Sequence, residues 1–229
     1  MDAKHNLTRQ VLSVADYVKS LGIVLPADLA ANIDAIKTEA YYERALNRDV
    51  LDFYRGDMDS GEFIEDMVQL IEGQFTRAWN EGMRNNDLDP EKDMTDDWQG
   101  LLQEAIDNEL NNVLSFAQDI ENARIADEPV GPLQARISLW TNRYNEMVNY
   151  AMRTTRPDDR FVWRLGATEE HCDTCAALDG VIATGRDWEV SGYHPQGAPN
   201  PLLTCGGWRC DCRLEYTENP NVTEGGIPL

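Results

Sequence analysis

Cys172-Asp173-Thr174-Cys175 and, after 29 intervening residues, Cys205-Gly206-Gly207-Trp208-Arg209-Cys210-Asp211-Cys212 hold all five cysteines of a 229-residue chain. Zinc takes four ligands in a tetrahedron, and thiolates two or three residues apart can reach it from one tight turn. Cys172 and Cys175 have that spacing. The Gly206-Gly207 pair lets the backbone turn closely beside Cys205, and Cys210 and Cys212, two apart, share one side of an extended segment. The expectation is a structural Zn2+ held by four of the five thiolates, a closed sphere with no open position for metal chemistry. Which thiol is left over stays open. His171 adjoins the first pair and His194 lies in the intervening loop, so a mixed His and Cys sphere is the alternative.

A metal here would substitute for a hydrophobic core too small to stand alone. From Phe161 onward the chain is rich in Gly and Pro, with short strand candidates at 161–165, 180–183 and 213–216. The pattern before it is helical. Leu7, Val11, Val14, Val18 and Leu21 fall at three- and four-residue steps, and Pro26 opens a second helix over about 26–46. Ser60, as an N-cap, precedes a stripe from Phe63 to Trp79. Thr95 precedes another: Trp98, Leu101, Leu102, Ala105, Ile106, Leu110, Val113, Leu114, Ala117 and Ile120. After Pro129-Val130-Gly131-Pro132 the period resumes over 133–154. The aromatic and methionine residues in these stripes read as core packing.

The fold expected is mainly α: a helical N-terminal domain of long amphipathic helices over 1–156 and a small zinc-knuckle-like module of short β-strands over 157–218. An extended tail over 219–229 would gain order only against a partner.

Net charge is −21, and the parts before and after residue 160 are both acidic. No basic stripe is present to neutralise phosphates, which disfavours sequence-specific nucleic-acid binding. No window approaches the roughly 20 apolar residues of a membrane helix, and the N-terminus lacks the apolar run of a secretory signal. The chain reads as one kept in a reducing cytoplasm, where clustered cysteines are metal ligands or catalytic thiols more often than disulfides. Thioredoxin-like chemistry expects its Cys-x-x-Cys within alternating strands and helices, a pattern missing before Cys172. Zinc deaminases need His-x-Glu and Pro-Cys-x-x-Cys, and both are missing. No P-loop, Gly-x-Ser-x-Gly or His-Glu-x-x-His occurs either. No catalytic residue is expected.

The run Phe161-Val162-Trp163-Arg164-Leu165-Gly166, then His171-Cys172-Asp173-Thr174-Cys175-Ala176-Ala177-Leu178-Asp179-Gly180, then Cys205 to Leu214, resembles the C-terminal module of tailed-phage minor head proteins, the Mu F-like head morphogenesis family. The resemblance lies mainly over residues 160–216 and is architectural before them. Many relatives carry a His-Pro-x ahead of the final Cys-x-Cys. This chain has Gly207-Trp208-Arg209 there, which puts Cys205 forward as the ligand in its stead.

The resemblance implies a non-enzymatic, portal-associated minor capsid protein, found in the virion head and, during assembly, in the host cytoplasm. Its role would be head morphogenesis and DNA packaging or ejection. The implied partner is the portal protein or the inner capsid surface, with any contact to packaged DNA lacking sequence specificity. Two other readings stand beside it: a cytosolic thiol-disulfide oxidoreductase using Cys172 and Cys175, and a zinc-dependent adaptor.

Overall fold

A computed structural model describes residues 39–167, 170–208, 210–223 and 225–227. The helix expected over 7–21 and the first part of the one expected over 26–46 lie outside them. The rest of the latter belongs to α1 (Glu39–Arg55), which runs beyond residue 46 because Leu46, Val50 and Phe53 extend the apolar stripe and are all buried. It stops at Gly56, where φ is +81°.

Next comes α2 (Ser60–Asn85). Its N-cap is Asp59 and not Ser60: the Asp59 carboxylate accepts from Glu62 N at 2.9 Å, and Glu62 accepts in return from Asp59 N at 3.0 Å. This reciprocal capping satisfies two donors at once. A single turn, α3 (Pro90–Asp93), leads to α4 (Asp96–Ile125), which Thr95 caps as expected by accepting from Trp98 N.

The helix expected over 133–154 is two helices, α5 (Gly131–Thr141) and α6 (Arg143–Thr155). Two side chains compete with the backbone ladder at the break. Gln74 of α2 donates to Trp140 O at 2.6 Å, and the Thr141 hydroxyl turns back toward the carbonyls of Ile137 and Ser138.

The helices pack with α2 at their centre, touching α1, α4 and α6. Phe63, Phe75, Trp79 and Met83 of α2 are fully buried, as are Val113, Phe116 and Ile120 of α4. At Gly82 the approach of α6 is so close that a Cβ would stand 2.5 Å from Val148 O and 2.6 Å from Ala151 Cβ. Leu114, expected in the core, is exposed, while Phe116 is buried against Trp140.

Beyond α6 lies a three-stranded antiparallel sheet, β1 (Arg160–Arg164), β2 (Ile182–Thr184) and β3 (Arg213–Tyr216), ordered β2-β1-β3. Trp163 pairs with Leu214 and Phe161 with Ala183. Two short helices, α7 (Asp173–Leu178) and α8 (Gly185–Ser191), flank it. Trp188 of α8 lies beside Trp163 and donates to Phe161 O. Buried side chains of the helices and of this sheet form one contiguous cluster.

Part of the tail is held by its own chain. Thr223 N donates to Ile182 O at 3.0 Å and Ile182 N donates to the Thr223 hydroxyl at 2.8 Å, so Thr223 sits against the outer edge of β2. Among the described residues no helix is long and apolar enough to cross a membrane.

Candidate metal centre

Three short segments bring the cysteines together. Cys172 is the N-cap of α7, and its sulfur accepts from Cys175 N at 3.4 Å, a turn that sets both sulfurs on one side. The loop bearing Cys205 is fastened to that turn by Thr174 and Thr204. Their hydroxyls stand 2.6 Å apart, and Thr204 N donates to the Thr174 hydroxyl.

Cys210 and Cys212 precede β3 and are brought in by two contacts. Gln196 donates to Cys212 O at 3.0 Å. Gly166, just after β1, lies so close to Asp211 that a Cβ there would meet Asp211 Cβ at 2.1 Å, so a side chain at this position would push the Cys210–Cys212 loop away.

All five thiols converge. Cys172, Cys175 and Cys205 form one group with every sulfur within 4.8 Å of the others, and Cys175, Cys210 and Cys212 form a second. The Cys175 sulfur lies 3.9 Å from that of Cys205 and 3.8 Å from that of Cys210. Sulfurs bonded to one zinc at 2.3 Å stand about 3.8 Å apart, whereas a disulfide needs about 2.05 Å. No disulfide joins them. The donor set and its spacing therefore fit a soft metal ion and do not fit an oxidised pair.

Burial is graded: Cys175, Cys210 and Cys212 are buried, and Cys172 and Cys205 are partly exposed. Neither His171 nor His194 belongs to either group. His194 instead sits against Glu189, 3.6 Å from its carboxylate and 3.4 Å from its carbonyl.

The thiols also differ in acidity. Hydrogen bonds from the Cys175 and Cys210 side chains, aided by Gly166 N–H and Trp163, push Cys212 down to about 3. Trp163 Nε1 is buried without a hydrogen-bond partner among the described residues, and its N–H acts on Cys212 only as one of the weaker influences that favour the thiolate. Cys175 moves the other way, held protonated by contacts with Cys210 and Cys212 and by burial. Burial pushes the Cys172 thiol up, but the Cys175 backbone and side chain outweigh it, and the thiol ends below its ordinary value. A thiolate that accepts an N–H is stabilised by it, and such a thiolate is the form in which cysteine ligates a metal.

The chain matches no protein-family model, no curated protein and no solved structure. Its chemistry is therefore read from the site itself.

Sequence reasoning found every member of the thiol cluster. It did not find the supports, Thr174 with Thr204, Gln196, and Gly166 against Asp211, because each is a contact between residues distant in the chain. The Gly166 contact had a local trace, a glycine directly after an apolar strand.

Proposed function

We propose that the chain is a non-enzymatic structural protein, a minor head component of a tailed phage or prophage, whose cysteine module is stapled by Zn2+. Its helical body would serve assembly beside the portal or on the inner capsid surface. The protein would be made in the host cytoplasm and carried into the virion head. The observation that carries the reading is the convergence of Cys172 and Cys175 with Cys205, Cys210 and Cys212, in the segment that resembles the Mu F-like module.

Charge is consistent with it. At −21 the protein repels duplex DNA and can sit beside packaged genome without adhering to it. The test is co-expression with portal and major capsid proteins from the same genome. The chain should purify with portal or procapsid and carry zinc. A zinc-loaded chain that accompanies neither would sink the head assignment and leave a zinc-dependent adaptor.

One observation favours a second reading, thiol-disulfide exchange. Cys172 caps a helix, is partly exposed and is acidified, while Cys175 behind it is held protonated, the asymmetry of an attacking and a resolving thiol. Against it, Cys175 is packed among three further sulfurs that exchange chemistry does not need. A metal-free protein with a reversible Cys172–Cys175 disulfide would favour this reading over the first.

A further inference from the structure

Five thiols are one more than a tetrahedral ion uses, and their layout gives the surplus a place. The two sulfur triangles, Cys172–Cys175–Cys205 and Cys175–Cys210–Cys212, meet at Cys175 and share no other member. A single tetrahedral ion needs four sulfurs with all six separations near 3.8 Å. Two triangles joined at a corner are the layout of two ions bridged by one thiolate. The separations on either side of that corner, 3.9 Å to Cys205 and 3.8 Å to Cys210, each suit sulfurs around a common ion.

Hydrogen bonding sorts the sulfurs in the same way. Cys172 accepts from Cys175 N at 3.4 Å, and the backbone N–H groups of Gly207, Cys212 and Gly166 face the sulfurs of Cys205, Cys210 and Cys212. Terminal thiolates keep lone pairs for such donors. Cys175 has its sulfur turned to the other thiols, as a bridging sulfur that gives its lone pairs to two cations must.

Charge points in the same direction. Two divalent ions offset four of five thiolate charges, whereas one ion on four thiolates leaves a larger residual charge in a largely buried site and a protonated fifth thiol beside it.

We propose that the cluster binds two thiophilic d10 cations of the Zn2+ class, bridged by Cys175 Sγ. The outer ion lies on Cys172, Cys175 and Cys205, and the inner ion on Cys175, Cys210 and Cys212. This rests on the reading of the module as a metal centre. Cys172 and Cys205 are partly exposed, so solvent reaches the outer ion; the inner ion is held by three buried sulfurs, and a water completes the tetrahedron of each.

The test is native mass spectrometry of the full chain titrated with Zn2+ alone in reducing buffer. The wild type should saturate at two Zn2+ per chain, and Cys205→Ser should fall to one. Substituting Cd2+, the wild type should give two 113Cd resonances. Cys175→Ser should lose both ions, and if that variant does not fold, the wild-type and Cys205→Ser counts decide. Saturation of the wild type at one Zn2+ overturns the bridged pair and leaves a single-ion staple. A wild type that takes up none overturns the metal centre as well.

Discussion

Asn149, buried in α6, accepts from Leu214 N of β3 at 2.9 Å, and its own amide donates back to Asn145 O at 2.8 Å. One side chain thus ties the helical body to the strand that begins directly after Cys212. Replacing it with Leu keeps the volume and leaves the Leu214 N–H buried without an acceptor, at a cost of about 1–3 kcal/mol. Chemical denaturation of Asn149→Leu should show that loss. An unchanged midpoint would mean that the bond contributes nothing net.

Gly82 sets a second test, because two effects oppose each other there. Alanine gains helix propensity worth about 1 kcal/mol, but its Cβ would overlap Val148 O at 2.5 Å and Ala151 Cβ at 2.6 Å. The clash is with backbone that cannot rotate away, so overpacking of about 1–3 kcal/mol wins. Gly82→Ala should lower the urea midpoint, and a raised midpoint would refute the close contact between α2 and α6.

Metal removal should act locally. A strong chelator in reducing buffer should loosen the sheet and the cysteine loops, reported by the fluorescence of buried Trp163 and Trp188, while α2, α4 and α6 keep their own packing and most of the helical signal. If tryptophan emission is indifferent to the chelator, no ion is holding the module.

Asp49 should make stability depend on pH. Its side chain is only 1% exposed; one oxygen meets Arg48 at 2.8 Å and the other has no partner among the described residues. Burial raises its pKa, and Arg48 offsets this only in part. A carboxyl whose folded pKa is raised contributes stability that is full below the unfolded value near 4 and is lost as pH rises through the folded value. Asp49→Asn stays neutral throughout, so it should be more stable than wild type at pH 7, with the gap closing toward pH 4. A variant less stable at pH 7 would mean that the Arg48 pair outweighs desolvation.

Local pattern carried the reading wherever one face of a helix stays against one neighbour. The stripes of α2 and α4 and the Thr95 cap are of this kind. The pattern failed where a distant residue intervenes. Trp140 and its partner Gln74 lie 66 positions apart, so the break between α5 and α6 has no local signature. Leu114 and Phe116 are both apolar and stand about 200° apart around the helix. Only the location of Phe63 and Trp140 decides that Phe116 turns inward. At the cysteine cluster the spacing of the thiols was legible, but their division into two triangles about Cys175 was not, because it depends on how three separate loops meet.

The strand order β2-β1-β3 places β1 in the middle although it is made first. During synthesis β2 follows β1 and can cover one of its edges, but Leu214 leaves the ribosome well after Phe161 and Trp163, so the other edge stays unpaired until the segment carrying Cys210 and Cys212 has emerged. Closure of the sheet and assembly of the full thiol cluster thus fall together at the end of synthesis, and a chain stalled before Cys210 would present a half-built sheet with one open edge to its neighbours.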